Sequence, residues 1–215
     1  INSLNKKKRF NIAQLNSIIL LKIICSKMKL LFLKGILSRR GWSYQGTLPK
    51  GLKRFILLVG PHTSWRDFLI GLCMRSDLEI FGMKFLAKSN LFFWPFSIFL
   101  RSIGAIPVKR GNSSGIVNRL VQDLVSKERF ILALAPEGTR SRVESLKSGY
   151  YNISRATGLP IICLGMDFKR RIISISALYQ PSNLLESNNH IIKIFGSIDG
   201  KNPDFGLGHL IDKIR

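Results

Sequence analysis

The stretch FILLVGPHTSWRD, residues 55–67, decides how the rest of the sequence is interpreted. Its first part, Phe55–Gly60, is an uninterrupted apolar run with the length of a strand that is covered on both faces. Polar residues follow from Pro61, and Trp65–Met74 then carries apolar residues at helical spacing. The stretch therefore predicts a strand, a turn and a helix, which is the unit from which α/β sheets are built.

The same alternation continues along the chain. Further strands are predicted over Glu79–Ala87, Ala105–Lys109, Phe130–Ala135 (FILALA), Pro160–Phe168, Ile172–Tyr179 and Ile191–Ile198, the last two as an antiparallel edge pair. Helices are predicted over Leu91–Ser102 with a bend at Pro95, over Ile116–Val125 with Asn112 or Ser113 as cap, over Ser148–Thr157 ending at Gly158, and briefly at the end of the chain. Continuous apolar strands between helices indicate an α/β fold: a single domain with a mixed, mostly parallel sheet covered by helices.

Charge and the placement of apolar residues restrict the partners. The 215 residues contain 34 Lys and Arg against 12 Asp and Glu, and a net charge of +22 attracts nucleic acid, anionic lipid or phosphorylated substrates. Leu91–Leu100 (LFFWPFSIFL) has no charged residue, and Asn11–Leu37 mixes Ile and Leu with lysines, which favours an anionic membrane surface. Neither stretch reaches the ~18 uncharged residues of a spanning helix. We therefore expect both to lie on a membrane, or alternatively to pack into the fold.

The N-terminal region is predicted to form a part of its own. Residues 1–45 are interpreted as a basic amphipathic segment that associates with membranes, and residues 46–215 as the catalytic domain. We hypothesise that Met28 is the native start, in which case residues 1–27 would not be native. The three cysteines and three histidines are scattered, which predicts buried free thiols in a reducing compartment and no metal site.

His62 and Asp67 are the first candidates for chemistry. The two side chains can meet if His62 lies in the turn and Asp67 in the first turn of the helix, which Thr63 or Ser64 can cap. The carboxylate would then orient the imidazole, and the other ring nitrogen could take a proton from a substrate hydroxyl. A histidine that only caps the helix is the alternative.

A second polar cluster, Glu137–Arg140, follows the strand FILALA. Gly138 allows close approach of the backbone, and Thr139 and Arg140 suit an anion, which could be a phosphate or a developing oxyanion. An ordinary turn with a surface ion pair is the alternative. The stretch GAIPVKR, residues 104–110, similarly places Arg110 at the end of a strand.

The order of GPHTSWRDF, GAIPVKR, PEGTRS and GLPI over Phe55–Phe168 resembles the glycerolipid acyltransferase family, in particular 1-acylglycerol-3-phosphate acyltransferases. The resemblance implies a glycerol-3-phosphate acyltransferase-like fold in which His62 is the general base and Asp67 its orienting partner. It also implies that Pro160 shapes the acyl-donor side. The residues implied to bind the acceptor are Arg110, Glu137, Gly138, Thr139, Arg140 and Lys147.

The reaction implied by this resemblance belongs to phospholipid biosynthesis and needs no cofactor. A fatty acyl group would pass from acyl-CoA or acyl carrier protein to the hydroxyl of a lysophospholipid, with 1-acylglycerol-3-phosphate as the expected acceptor. We expect the enzyme at the cytoplasmic face of the cell membrane, as a peripheral or monotopic protein.

Two other classes of function stay open. The stretch GNSSG, residues 111–115, matches the G-x-S-x-G of serine hydrolases and lipases, with Ser113 as nucleophile. Its partners would be Asp167 or Asp199 and His190 or His209. A basic nucleic-acid-binding protein would also explain the charge. No nucleic-acid partner is expected, however, because the aromatic residues cluster in apolar runs and do not interleave with Lys and Arg.

Overall fold

The computed structural model describes residues 32–108 and 127–214, together with Gly115, Val117, Asn118, Leu120, Gln122 and Asp123, which are helical. The strands are β1 (Ser43–Gln45), β2 (Arg54–Gly60), β3 (Lys84–Lys88), β4 (Ala105–Val108), β5 (Phe130–Leu134), β6 (Ile161–Asp167) and β7 (Ile172–Ile175). The helices are α1 (Ile36–Arg39), α2 (Arg66–Asp77), α3 (Phe96–Ser102), α4 (Gly149–Thr157) and α5 (Leu184–Phe195), with 3₁₀ turns at Ser89–Leu91, Pro203–Phe205 and Gly208–Lys213.

The strands form one seven-stranded sheet in the order β1-β7-β6-β2-β5-β3-β4. Strands β2 to β6 run parallel to one another, whereas β7 is antiparallel to β6 and carries β1 in parallel at the edge. The predicted mixed, mostly parallel sheet is therefore confirmed. Strand β2 lies between β6 and β5, so the loop that follows β2 is flanked by the ends of both neighbours.

The apolar strands alternate their side chains between two cores, one on each face of the sheet. One core contains Ile56, Leu58, Leu132, Ile161 and Cys163, and it is covered by Tyr150 and Ile153 of α4 and by Ile191 and Phe195 of α5. The other core contains Phe55, Leu57, Ile131, Ala133, Ile162 and Leu164, and it is covered by Cys73 and Met74 of α2 and by Leu37 of α1. Helices α2 and α5 therefore lie on opposite faces of the sheet.

The folded domain begins before the predicted boundary at residue 46. Strand β1 pairs with β7, and Leu37 is buried in the core beneath α2. The hydroxyl of Tyr44 and the backbone N–H of Gly35 both donate to the carboxylate of Asp77 at the end of α2. The N-terminal 31 residues, and with them most of the predicted membrane-associating segment, lie outside the described residues.

One predicted strand, Ile191–Ile198, is wrong, because Ile191–Phe195 belongs to α5. The run is short and rich in isoleucine, so its period does not distinguish a strand from the buried side of a helix. The helix begins after Asn183, whose side chain accepts a hydrogen bond from the N–H of Glu186. The antiparallel pair is formed by β6 and β7 instead.

Another predicted strand is correct in type but too long. Strand β3 starts only at Lys84, five residues after the predicted start at Glu79. The chain turns at Glu79, which has a positive φ of 54° and therefore cannot continue an extended strand.

Substitution of Gly60 tests the packing beneath the end of β2. A Cβ at Gly60 would lie 2.8 Å from the ring of Phe195, which is fully buried and has no room to move. We expect Gly60→Ala to lower the free energy of unfolding by about 1–3 kcal/mol.

Gly71→Ala is the matched control, because no atom lies within 4 Å of its added Cβ. Alanine is the better helix former, so this variant of α2 should be as stable as the parent or up to about 1 kcal/mol more stable. Urea denaturation followed by circular dichroism measures both variants. Equal losses of stability in the two would contradict the packing of Phe195 against Gly60.

Candidate active site

The loop after β2 brings His62 and Asp67 together at the carboxyl edge of the sheet. The Nδ1 atom of His62 lies 3.1 Å from Oδ2 of Asp67, within hydrogen-bonding distance. Oδ2 also accepts hydrogen bonds from the backbone N–H groups of Thr63 and Ser64, each at 2.8 Å. The side chain of Asp67 is 1% exposed and that of His62 is 27% exposed. The carboxylate is therefore fixed below the surface while the imidazole reaches solvent.

The start of α2 explains why Asp67 reaches back to the loop. The helix begins at Arg66, so Asp67 is its second residue, and a carboxylate is favoured at this end of a helix. Trp65 stands at the N-cap position and makes no side-chain cap hydrogen bond, so the predicted cap by Thr63 or Ser64 is wrong. Ser64 accepts only a weak hydrogen bond from the N–H of Arg66, at 3.3 Å. The hydroxyl of Thr63 instead accepts a hydrogen bond from the backbone N–H of Asn202.

A second carboxylate, Glu137, holds the backbone of His62 from the neighbouring strand. Its Oε1 accepts a hydrogen bond from the N–H of His62 at 2.9 Å. The residue is 1% exposed, and burial raises the pKa of the Glu137 carboxyl above its ordinary value. Because the ends of β2 and β5 lie side by side, Glu137 contacts the loop that carries His62. Its expected contact with an acceptor stays a prediction.

The loop is held from its other side by the C-terminal part of the chain. The backbone N–H of Asn202 donates to Oγ1 of Thr63 at 3.1 Å, and the side-chain amide of Asn202 donates to the carbonyl of Thr63 at 2.9 Å. Gly200 packs so closely that a Cβ there would lie 2.7 Å from Thr63. Nothing in the sequence signals these contacts, since Asn202 is 139 residues away from Thr63.

The turn after β5 presents polar and cationic groups at the same edge. Gly138 adopts a positive φ of 65°, and a Cβ there would lie 3.3 Å from Cγ of Lys147. The N–H of Lys147 donates to the carbonyl of Pro136 at 2.8 Å, which closes the loop on itself. Arg140 and Lys147 are exposed and Thr139 is half-buried. The structure therefore places Gly138 beside Lys147 in one turn with Thr139 and Arg140, whereas Arg110 lies outside the described residues.

A family model described as Acyltransferase matches residues 43–167, which is more than half of the chain. The chain belongs to this acyltransferase family. The matched range includes β1 to β6, His62, Asp67 and the whole turn after β5, and the protein is accordingly an acyltransferase enzyme.

The fold also resembles a solved structure. The 1-acyl-sn-glycerophosphate acyltransferase of Thermotoga maritima aligns with a TM-score of 0.53 and 19% sequence identity, over 74% of this chain and 71% of that chain. At this identity the likeness establishes the fold. No curated protein matches the sequence of this acyltransferase.

Pro160 and His62 lie at opposite ends of the strand pair β2–β6 of the acyltransferase. Its carbonyl accepts a hydrogen bond from Ile56 near the start of β2, and Ile56 is paired with Ile161. His62 follows Gly60 at the far end of β2, and four strand residues span ~13 Å. Pro160 therefore lies just before the start of β6, and its expected role in shaping the acyl-donor side stays a prediction.

The residues of the hydrolase alternative are not assembled in the described part of the acyltransferase. Ser113 itself lies outside that part. The other candidates have partners elsewhere: Arg170 for Asp167, Lys169 for Asp199, the ring of Tyr179 for His190 and the carbonyl of Val143 for His209. Among the described residues, His62 and Asp67 form the single contact within 4 Å between a histidine ring nitrogen and a carboxylate oxygen.

The cysteines of the acyltransferase that the structure describes are free and buried. Burial raises the pKa of the Cys73 thiol and raises that of Cys163 to about 12. Neither thiol is thus activated as a nucleophile. Within residues 32–108 and 127–214, no group of three or more His, Cys, Asp and Glu could hold a metal ion. No helix in the same part of the chain has the length and apolar character that crossing a membrane requires.

Glu137→Gln tests the buried carboxyl through the pH dependence of stability. Because folding raises the pKa of Glu137 above its ordinary value of 4.5, the folded state holds this proton more tightly than the unfolded state. The parent protein therefore loses free energy of unfolding as the pH rises above about 4.5. Glutamine can still accept the hydrogen bond from His62 but cannot ionise.

We expect the stability of Glu137→Gln relative to the parent to increase from pH 4.5 toward neutrality, in denaturation curves measured at several pH values. Glu144→Gln is the control: Glu144 is exposed, and its hydrogen bond with Lys213 holds the pKa of this carboxyl below its ordinary value, so the stability of this variant relative to the parent should not rise over the same pH range. Parallel pH profiles of Glu137→Gln and the parent would show that the carboxyl is not buried.

Proposed function

We propose that this acyltransferase moves a fatty acyl group from acyl-CoA or acyl carrier protein to the hydroxyl of a lysophospholipid, in phospholipid biosynthesis. The observation that carries the proposal is the contact between His62 and the buried carboxylate of Asp67, while 27% of the His62 side chain stays exposed to solvent. The expected acceptor is 1-acylglycerol-3-phosphate. The similar fold of an enzyme named for 1-acyl-sn-glycerophosphate supports that choice.

In the proposed reaction, His62 acts as the general base through Nε2. It removes the proton of the acceptor hydroxyl while the oxygen attacks the carbonyl carbon of the thioester. The new C–O bond forms, the C–S bond breaks, and the proton passes to the leaving thiolate. Asp67 keeps the proton of the neutral ring on Nδ1 and stabilises the imidazolium that forms. No nucleophile from the protein is needed, because the acceptor supplies the attacking oxygen.

The turn after β5 suits the phosphate of the acceptor. Arg140 can donate two parallel hydrogen bonds to phosphate, and Lys147 adds a second positive charge from the same loop. Gly138 leaves room for close approach, and Thr139 offers a hydroxyl. We assign Arg110 to the same group from its place in the sequence.

Glu137 acts one step further away from the acceptor. Its carboxyl accepts a hydrogen bond from the backbone N–H of His62 and so helps to fix the position of the imidazole. In the proposed function it is a positioning residue and does not contact the phosphate.

We place the enzyme at the cytoplasmic face of the cell membrane as a peripheral or monotopic protein. Its net charge of +22 favours contact with anionic lipid, in which both the lysophospholipid and its product reside. Free Cys73 and Cys163 support a reducing compartment.

Substitution of the pair should stop acyl transfer without unfolding the protein. We expect His62→Ala to lower kcat by about 10²–10⁴-fold, since general-base catalysis contributes this much. Asp67→Asn should also lower kcat, because the ring loses its orienting carboxylate. The assay follows labelled acyl transfer from acyl-CoA and from acyl carrier protein to a panel of lysophospholipids. Ser113→Ala is the control and should keep full activity; loss of activity in Ser113→Ala but not in His62→Ala would favour the hydrolase.

Substitutions in the turn should weaken acceptor binding and leave the donor unaffected. We expect Arg140→Ala and Lys147→Ala each to raise the KM for the lysophospholipid about 10–100-fold, because a hydrogen bond to a charged group contributes ~1.5–3 kcal/mol. Arg155→Ala removes an exposed charge from α4 and serves as the control. An unchanged KM in both turn variants would refute the phosphate-binding role.

A further inference from the structure

Large apolar side chains cluster on the outside of α3 and the loop before it. Between 44% and 81% of each of these residues is exposed, and we call them the aromatic face: Phe93, Trp94, Phe96, Ile98 and Phe99. The rings of Phe93 and Phe96 stack with centroids 5.8 Å apart, and Phe96 meets Phe99 at the same distance. Phe93, Phe96 and Phe99 therefore form one continuous surface, and an exposed apolar surface of this kind marks an interaction site.

The segment that carries the aromatic face packs firmly against α2. Leu100 and Ile103 at the end of α3 are buried, and they pack with Phe68 and Leu72 of α2. The guanidinium of Arg75 in α2 is also buried, and it donates to the carbonyl of Ile103. The outward position of the aromatic side chains is therefore set by the fold of the domain.

This packing also connects the aromatic face with the active site. Phe68 and Leu72 lie on the side of α2 that packs toward α3, and Trp65 precedes Phe68 by three residues, on the same side of the helix. Trp65 is exposed and lies three residues after His62. A surface that contacts the aromatic face would thus lie beside the loop that carries the imidazole.

The sequence around the aromatic face carries positive charges only. From Ile80 to Val108 it contains no Asp or Glu, but it contains Lys84, Lys88 and Arg101. Arg66 and Arg101, which are exposed, lie over the rings of Trp65 and Phe92 at 5.9 and 5.4 Å. Aromatic groups accompanied by cations, without acidic residues, match the headgroup region of an anionic bilayer.

We propose that the aromatic face docks the enzyme on an anionic lipid bilayer. The aromatic rings enter the boundary between headgroups and acyl chains, and the accompanying Lys and Arg contact lipid phosphates. Docking in this orientation brings the start of α2 close to the bilayer surface. His62 then lies near the layer in which a lysophospholipid carries its hydroxyl. The acceptor can then reach the imidazole without leaving the bilayer; this last step rests on the proposed function, whereas the docking surface does not.

The test measures how the full chain binds to vesicles of phosphatidylglycerol and phosphatidylcholine at about 0.15 M salt, where electrostatic attraction is screened beyond ~8 Å. The variant Phe93→Ser/Trp94→Ser/Phe99→Ser should bind about 100-fold or more weakly than the parent. In this variant, three large apolar side chains are no longer available for transfer from water into the bilayer. The control Leu184→Ser/Leu185→Ser removes exposed leucines from α5, on the opposite face of the sheet, and should bind as the parent does. Binding of the aromatic-face variant equal to that of the parent would overturn the proposal.

A second measurement separates docking from substrate binding. With a short-chain lysophospholipid that is monomeric in water, the aromatic-face variant should retain its kcat/KM within about twofold, while its activity on vesicle-embedded acceptor falls with vesicle binding. Equal losses on monomeric and embedded acceptor would show that the face belongs to the substrate site and would overturn the proposal. If the parent docks through the face but transfers acyl groups to no acceptor, the docking surface stands and the proposed function fails.

Discussion

One oxygen of Asp67 organises the loop on which the chemistry depends. Oδ2 receives the N–H groups of Thr63 and Ser64 and lies against Nδ1 of His62. A buried carboxylate is costly unless donors surround it, so the loop folds around this oxygen and α2 starts where the side chain can reach back. The same contacts that satisfy Oδ2 therefore aim the imidazole.

The order of the strands in the sheet also fixes the position of the loop after β2. Because β2 is central, its loop is reached from both sides, by Glu137 beyond β5 and by Asn202 beyond α5. The backbone of the loop is held by these hydrogen bonds, whereas the imidazole of His62 is partly exposed to solvent. The cationic turn after β5 lies at the same edge of the sheet as His62, and helix α2 leads toward the aromatic face. This arrangement suits an enzyme that takes a phosphate-bearing lipid from a surface.

Much of the fold follows from local sequence, and the remainder depends on which strands are neighbours. Phe55–Gly60 is a continuous apolar run of strand length, and His62 and Asp67 are close enough in sequence for a turn and a helix start to join them. The contacts of Glu137 and Asn202 with the loop could not be predicted in this way. They arise only once the strand order is fixed and each loop is assigned to one edge of the sheet, and neither is encoded in a local pattern.

The tautomer of His62 is the most direct test of the central claim, which is that a buried carboxylate aims this imidazole. Long-range ¹H–¹⁵N correlation spectra of protein labelled at its three histidines report which ring nitrogen carries the proton, and a His62→Ala sample identifies the signals of His62. We expect the neutral ring to be protonated at Nδ1 and unprotonated at Nε2, and we expect Asp67→Asn to remove this preference. A neutral ring protonated at Nε2, or a tautomer that Asp67→Asn leaves unchanged, would contradict the central claim.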